Sequence, residues 1–289
     1  MYKKFMKKLF YILTLFICSA CGNISQKNEK PIITVTLEPL RYFAESIAGD
    51  NYQIVSMVPN GSNPESYDPT PQQMVNLNQS QAYFRIGYIG FEQVWMEKLQ
   101  ANCKDMKVFN TSQGIDLIRA EGHWHDDHFH EGGVEPHIWN STKNASIIAE
   151  NICQALCELD ADNQEYYKHR TDSLKQLIEL TDKEIGNLLQ EADSTFLIYH
   201  PALSYFARDY GLKQISIEKD GKEPSPNQLK ELIETCRKEK AHVIFVQQEF
   251  DKRNAQLIAD ELGVSVVSIN PLSYDWNKEM IHVAKALKH

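Results

Sequence analysis

Half of the ten histidines in this 289-residue chain lie in one acidic stretch, EGHWHDDHFHEGGVEPHIW, which runs from Glu121 to Trp139. The histidines of this stretch are His123, His125, His128, His130 and His137. Neutral imidazole is a good ligand for zinc, copper and nickel, and the interleaved carboxylates add oxygen ligands and attract divalent cations. The stretch therefore predicts metal binding, with an incidental polar loop as the alternative.

The first four of these histidines differ from the fifth in their setting. Glycines punctuate the segment 121–133 and no helix or strand period is apparent in it, so we expect a flexible surface loop. We interpret its imidazoles as accessory metal ligands, namely His123, His125, His128 and His130. His137 lies outside this loop, and we expect it to belong to a fixed site.

Three more candidate ligands lie at or after the ends of predicted strands. His200 ends the run TFLIYH, Asn270 follows VSVVSI, and Glu65 lies in the loop after QIVSMV. Open parallel sheets bind ligands outside the carboxyl ends of their strands, so these side chains should face the same kind of crevice. Glu65 and His137 fall in the first half of the chain, and the other two in the second. A metal held by all four would therefore lie between two lobes, where ligand sites are common.

Beta-rich runs alternate with helical patterns along most of the chain. The first set is IITVTL at 32–37, QIVSMV at 53–58 and AYFRIG at 82–87, and the second set is TFLIYH at 195–200, KQISI, HVIFVQ and VSVVSI. Alternation of this kind is typical of parallel βα units. The pattern predicts an α/β fold of two lobes.

The segment 162–192 contains no proline and a single glycine, and it places leucine and isoleucine at helical spacing. We expect one rigid linking helix, which at 1.5 Å per residue would run about 45 Å. A coiled-coil dimer is the alternative, and the lack of a sustained a/d seam disfavours it. The predicted organisation is a first lobe over 31–161, the linking helix over 162–192 and a second lobe over 193–289, in a monomer.

The N-terminal residues 1–20 have the features of a secretory signal peptide. Four lysines precede the apolar run from Leu9 to Ile17, which is shorter than the roughly 20 residues that a spanning helix needs. The small residues before Cys21 resemble a bacterial lipobox, in which the cysteine is lipidated; ordinary cleavage after Ala20 is the alternative. We expect an exported protein with a polar tether over 21–30, anchored by lipid on the outer face of the cytoplasmic membrane or in the periplasm.

Charge and cysteine content exclude some classes of protein. The formal net charge is −9, and removal of residues 1–20, which hold four lysines and no acidic residue, makes it −13. Nucleic acid is therefore not an expected partner, because such proteins need basic patches that neutralise phosphate. Four cysteines remain beyond the signal segment and tether, and we interpret Cys153 and Cys157, one helical turn apart, as packing residues and not as a redox or metal pair.

Four segments in order resemble the zinc and manganese solute-binding lipoproteins of bacterial ABC transporters. They read VPNGSNPESYDPTPQQM, EPHIWNST, YHPALSYFARDYGL and INPL, and the likeness runs from Pro31 to the C-terminus. The acidic, histidine-rich loop is similar to that of the zinc-specific branch. The resemblance implies two α/β lobes joined by a rigid long helix, a metal ion between them, and a membrane permease that receives it.

The resemblance also implies a ligand set, with two departures. His137 and His200 match the family, whereas the family usually has histidine at the position of Glu65 and aspartate or glutamate at that of Asn270. A water molecule or a loop imidazole is the alternative to Asn270. Imidazole-rich sites suit zinc, and manganese prefers more carboxylate and carbonyl oxygen, so zinc is the expected metal and manganese is the alternative.

We therefore expect capture of zinc and delivery to an ABC permease, without catalysis. An exported zinc metalloenzyme is the main rival, since two histidines and a glutamate also occur in catalytic zinc sites. Neither H-E-x-x-H nor G-x-S-x-G occurs, which disfavours this rival. A manganese-specific binding protein and a surface adhesin or metal buffer are further alternatives. Because the predicted linking helix is rigid, we expect metal release by local loop opening and not by a wide hinge motion.

Overall fold

The structure is a computed structural model, and it describes residues 30–119, 123–125, 128–130, 133–218 and 222–288. The predicted signal segment, Cys21 and residues 21–29 of the tether lie outside the described residues. Within the described part of the chain, no helix is both long enough and apolar enough to span a membrane.

Strands and helices alternate in the first lobe, and four parallel strands form its sheet in the order β2-β1-β3-β4. The strands are β1 Ile32–Val35, β2 Gln53–Ser56, β3 Ser80–Arg85 and β4 Lys107–Asn110. The helices are α1 Glu38–Ala48, followed by a 3-10 turn at Gly49–Asn51, then α2 Pro71–Leu77 and α3 Gly90–Asn102. Ile33 and Val35 of the central strand β1 are fully buried, as expected of a parallel strand covered on both faces.

The second lobe repeats this arrangement. Its four parallel strands have the order β10-β9-β7-β8, so in both sheets the first strand lies between the second and the third. The strands are β7 Thr195–Ile198, β8 Lys213–Ser216, β9 Val243–Gln247 and β10 Ser265–Ile269. The helices are α6 Ser204–Tyr210, α7 Pro226–Glu239, α8 Arg253–Leu262 and α9 Trp276–Ala286. The predicted α/β fold of two lobes is confirmed.

The strand order defines a topological switch point in the second sheet. Strand β7 pairs with β8 on one side and with β9 on the other, so the chain leaves β7 and β9 in opposite directions. A crevice opens between the carboxyl ends of two such strands, and ligands of open α/β sheets bind there. Residues that directly follow β7 and β9 are therefore placed to contact a ligand.

A long helix links the lobes, as the sequence predicted. It is α5, Gln164–Leu188, and it follows α4, Thr142–Leu159; 3-10 turns at Ala161–Asn163 and Leu189–Glu191 flank it. Its buried residues recur every three or four positions and are Tyr167, Thr171, Leu174, Ile178, Thr181 and Ile185. This face packs against α4, against α1 of the first lobe and against α9 of the second.

One continuous hydrophobic core joins the two lobes. Phe43 of α1 and Trp276 of α9 belong to the same buried cluster, and their rings meet edge to face at 5.1 Å. Trp139 is fully buried between the lobes; its Nε1 donates to the carbonyl of Pro271 at 2.8 Å, and its own carbonyl accepts from Trp276 Nε1 at 2.7 Å. A smaller cluster around Ile244 and Ile258 belongs to the second lobe alone. The lobes thus share packing and do not meet only at their surfaces.

The histidine-rich segment contains regular structure that the sequence did not predict. Strands β5, His123–His125, and β6, His128–His130, form an antiparallel ribbon. The register pairs His123 with His130 and His125 with His128, and it pairs Trp124 with Phe129. Where the sequence predicted a loop without a strand period, residues 123–125 and 128–130 thus pair as two strands of three residues each.

Candidate metal centre

Glu65 is held in the loop after β2 by contacts with the start of α3. The side chain of Asn63 accepts a hydrogen bond from the Glu65 N–H at 2.9 Å, and the N–H of Gly90 donates to Glu65 Oε2 at 3.2 Å. Gly90 is the first residue of α3, where the helix dipole favours a negative charge. A Cβ at Gly90 would lie 2.9 Å from this oxygen and nearer still to the Glu65 carbonyl, so only glycine allows this approach.

His137 lies in the loop before α4 and is 5% exposed. Its Nδ1 contacts the Glu135 carboxylate, which also accepts the His137 N–H at 3.1 Å. The hydroxyl of Ser204, from the second lobe, donates to the other oxygen of Glu135 at 3.2 Å. Burial raises the pKa of Glu135, but its hydrogen bonds and the charge of His137 outweigh burial, and the pKa lies below its usual value. Glu135 is therefore a carboxylate that orients the His137 ring.

His200 follows β7 and is fixed in the same way from the second lobe. Its Nδ1 lies 3.1 Å from Oε2 of Glu218, which follows β8 and is 7% exposed. The backbone N–H of His200 donates to Oε1 of Gln247 at 3.3 Å, and Nε2 of Gln247 donates to the His200 carbonyl at 2.5 Å. The His200 ring stacks on Phe250, with centroids 5.1 Å apart and planes at 14°. Both the backbone and the ring of His200 are thus restrained.

The two imidazoles and Glu65 converge on one point between the lobes. The Nε2 atoms of His137 and His200 are 3.3 Å apart, and Glu65 Oε1 lies 3.8 Å from His137 Nε2. One ligand atom from each of the three side chains lies within 4.8 Å of the others. Carboxylates on both Nδ1 atoms favour the tautomers that carry the proton there, so both Nε2 lone pairs face the same point.

The spacing of these atoms fits a tetrahedral metal ion. Zinc binds imidazole nitrogen at about 2.0–2.1 Å, so two such nitrogens on a tetrahedron lie about 3.3–3.4 Å apart. The observed distance between the Nε2 atoms of His137 and His200 is 3.3 Å. Two lone pairs at this distance repel each other unless a cation or a proton lies between them. The arrangement can therefore bind a divalent cation with little movement of the rings.

Asn270 is the predicted ligand whose side chain already has a hydrogen-bond partner. Its Oδ1 accepts the N–H of Leu272 at 3.1 Å, and its own N–H donates to Glu279 at 2.8 Å. Pro271 and Leu272 line the cavity over the three ligand atoms, whereas Asn270 is not among the described residues that line it. Coordination by Asn270 stays a prediction, and it would require the amide to leave its bond with Leu272.

Glu249 is a cavity residue that sequence reasoning missed. It lies in the loop after β9 and lines the same cavity as Glu65, His137 and His200. Its Oε1 is buried and has no hydrogen-bond partner among the described residues. Burial raises the pKa of Glu249, and a hydrogen bond from its own backbone N–H and the nearby His200 oppose this rise. The rule that ligands follow strand ends applies to the run HVIFVQ as much as to TFLIYH, and it would have identified this loop.

The family model described as "ZnuA: Zinc-uptake complex component A periplasmic" matches residues 33–289. The chain belongs to this family. A ZnuA deletion mutant crystallised with zinc bound has a TM-score of 0.82 and 35% sequence identity, with 90% of this chain and 99% of that chain covered.

Two curated relatives are binding proteins of metal transporters. The metal ABC transporter substrate-binding lipoprotein SsaB of Streptococcus sanguinis is 28% identical over 272 residues, which is 89% of this chain and 85% of the relative. The manganese ABC transporter substrate-binding lipoprotein PsaA of Streptococcus anginosus is 27% identical over 282 residues, 90% of this chain and 88% of the relative.

Membership of the ZnuA family settles the class of protein. This chain is an exported metal-binding component of an ABC uptake system and not an enzyme, as the sequence motifs indicated. Zinc and manganese are metals named for its relatives, which confirms the expected kind of cargo. The resemblance seen in the four sequence segments is confirmed as well.

Proposed function

We propose that this ZnuA-family protein binds zinc with high affinity between its lobes, through Glu65, His137 and His200, and delivers it to an ABC permease. The observation that carries the proposal is the pair of Nε2 atoms 3.3 Å apart, each on a ring whose Nδ1 contacts a carboxylate that is largely buried. Carboxylate–histidine pairs of this kind orient metal ligands and raise their basicity. The imidazole pair favours zinc over manganese.

Manganese is the second candidate, because Glu65 supplies a hard oxygen where zinc sites of the family usually have histidine. A manganese transporter protein is also among the relatives. Calorimetric titration of the mature protein with each metal, with elemental analysis of the protein as isolated, separates the two. We expect one tight zinc site and weaker manganese binding. Manganese bound more tightly than zinc would reverse the assignment.

The ligand assignment is tested by single substitutions. We expect His137→Ala and His200→Ala each to weaken zinc binding by at least about 100-fold, because each removes a direct ligand. Mutation of a residue that only contacts a metal ligand already lowers metal affinity by about 10- to 100-fold. His169→Ala is the matched control, because His169 is an exposed histidine of α5 that does not line the cavity. Wild-type affinity in both ligand variants, measured by competition with a chelator, would refute the interlobe site.

We propose that His123, His125, His128 and His130 collect metal and pass it to the interlobe site, and that none of them is a ligand of that site. Deletion of 121–131 should therefore leave one tight zinc and remove weaker additional binding, seen as a lower stoichiometry at high zinc. Loss of all tight binding in this deletion would contradict the proposal.

We propose that Cys21 carries the lipid, on a protein that acts as a monomer. The small residues before Cys21 and the lipoprotein relatives support the lipid anchor. Cys21→Ala should release the protein from the membrane fraction of cells, and retention of the variant there would argue against it.

A further inference from the structure

We propose that Glu249 is a metal ligand of this protein, supplied by the loop after β9 and completing the set of Glu65, His137 and His200. The inference rests on the proposed function, since it assumes that the interlobe point holds a divalent cation. It goes beyond that function because it adds a carboxylate from the second lobe, on a different loop from Asn270.

The first argument is the unsatisfied oxygen of Glu249. Its Oε1 is buried and accepts no hydrogen bond from the described residues, although buried polar atoms nearly always have a partner. Glu92, a buried carboxylate of the first lobe, shows how the fold satisfies such a group: it accepts from the N–H groups of Ile86 at 2.8 Å and Gly87 at 2.5 Å, and from Thr36. Oε1 of Glu249 has no such donor among the described residues, and Glu249 lines the cavity.

The second argument is the position of Glu249 in the sheet. His200 follows β7 and Glu249 follows β9, so the two residues lie on either side of the switch point of the second lobe. The loop is fixed against His200 on both sides of Glu249, by the side chain of Gln247 and by the stacked ring of Phe250. Glu249 is therefore held beside a proposed ligand by contacts that do not involve its own carboxylate.

The third argument concerns reach. The three ligand atoms within 4.8 Å of one another belong to Glu65, His137 and His200, and among the described residues no oxygen of Glu249 joins that group. Since Glu249 lines the same cavity and its Oε1 has no bond to break, rotation of the side chain is the movement that the proposal requires. Asn270, by contrast, would have to give up its bond with Leu272.

The added ligand also has a consequence for charge and metal preference. Two neutral imidazoles with Glu65 alone leave a divalent ion with one net positive charge in a largely buried cavity. A second carboxylate makes the complex neutral, which lowers the cost of burying the ion. Carboxylate oxygen is also the harder ligand, so Glu249 should contribute more to manganese binding than to zinc binding.

The test compares Glu249→Gln with Glu223→Gln in the mature protein. Glutamine keeps the shape of the side chain and removes its charge, and Glu223 is an exposed carboxylate of the same lobe that does not line the cavity. We expect Glu249→Gln to weaken zinc binding by about 10- to 100-fold and manganese binding by more, with Glu223→Gln near wild type. X-ray absorption at the zinc edge should show one oxygen neighbour fewer or more distant in Glu249→Gln.

Two results would overturn the proposal, and they are distinguishable from failure of the proposed function. Unchanged zinc affinity and unchanged zinc coordination in Glu249→Gln, with binding still lost in His137→Ala and His200→Ala, would remove Glu249 alone. An equal loss in Glu223→Gln and Glu249→Gln would assign the effect to charge at a distance. Wild-type binding in the histidine variants would instead refute the site itself. Thermal melting of the metal-free variants checks folding, and removal of the charge from a carboxylate with an unpartnered oxygen should leave the melting temperature unchanged or higher.

Discussion

Each imidazole of the proposed site contacts a carboxylate through the nitrogen that faces away from the metal position. Glu135 does this for His137 and Glu218 for His200, and both carboxylates are largely buried. The pairs come from different lobes and different loops, yet they leave the same nitrogen, Nε2, available. Affinity therefore depends on residues that need not touch the ion.

We expect Glu218→Gln to lower zinc affinity by about 10- to 100-fold, because the His200 ring loses the charge that fixes its tautomer and raises its basicity. The change is measured by calorimetry with a competing chelator. Glu239→Gln is a suitable control, since Glu239 is a carboxylate of the second lobe that pairs with Lys213, outside the cavity. Equal affinity in wild type and Glu218→Gln would show that this contact does not tune the ligand.

Residue types explain which candidate ligands the sequence could reveal. His137 and His200 were identifiable because histidine is uncommon and each adjoins a strand end or a distinctive motif. Glu249 was not, because a glutamate in the polar run QQEFDKR has the composition of a solvated loop. The proposal for Glu249 depends on the burial of Oε1 and on its lack of a hydrogen-bond partner among the described residues, which only the packing of distant segments creates.

At the scale of elements, the start of α3 determines where Glu65 lies. The loop 63–66 packs on this helix terminus through the bond from Gly90 to Glu65 and through the Phe91 N–H, which donates to the Pro64 carbonyl at 2.9 Å. The carboxylate is thus positioned by a helix end that is itself fixed in the core of the first lobe. A substitution at the start of α3 should therefore displace the Glu65 carboxylate while all the proposed ligands remain in the sequence.

We expect Gly90→Ala to reduce zinc affinity, by about tenfold or more, because the new Cβ would displace both the carbonyl and the carboxylate of Glu65. Gly186→Ala is the matched control. Gly186 lies on the exposed side of α5, and a Cβ added there would have no neighbouring atom within 4 Å, so alanine should stabilise the helix by about 0.5–1 kcal/mol. Calorimetry and thermal melting together distinguish the two effects, and an unaffected zinc affinity in Gly90→Ala would contradict the role given to this contact.

The strands, their parallel pairing and the long helix followed from hydrophobic pattern, because buried parallel strands and amphipathic helices have distinct periods. The paired strands at 123–125 and 128–130 were not predicted, since a strand of three residues is too short to show a clear hydrophobic period. The strand order could not be predicted from the sequence either, although it places the loops after β7 and β9 next to each other.

At the scale of the whole molecule, the shared core limits how the lobes can move. Helix α9 of the second lobe packs on α5, and its Trp276 contacts Phe43 of α1. Trp139 is hydrogen-bonded to both Pro271 and Trp276. A wide hinge motion would have to break these contacts. Local opening of the loops over the cavity, such as those that carry Phe250 and Leu272, would leave these contacts intact, and release by this route stays a prediction.

We expect the mature protein to unfold in a single cooperative transition in scanning calorimetry, with equal calorimetric and van't Hoff enthalpies. The reason is that one buried cluster includes residues of both lobes and of α5. Two resolved transitions in the metal-free protein would show that the lobes are independent, and would reopen hinge motion as the route of metal release.

Trp139 gives the protein an internal optical reporter. Its indole is fully buried and meets the His137 ring edge to face, with centroids 5.4 Å apart. An ion arriving at His137 places a positive charge close to this indole, whose surroundings are otherwise fixed by the bonds of Trp139 to the second lobe. Filling and emptying of the site should therefore change the emission of the unlabelled chain. The handover of metal to the transporter can thus be followed in real time without any attached dye.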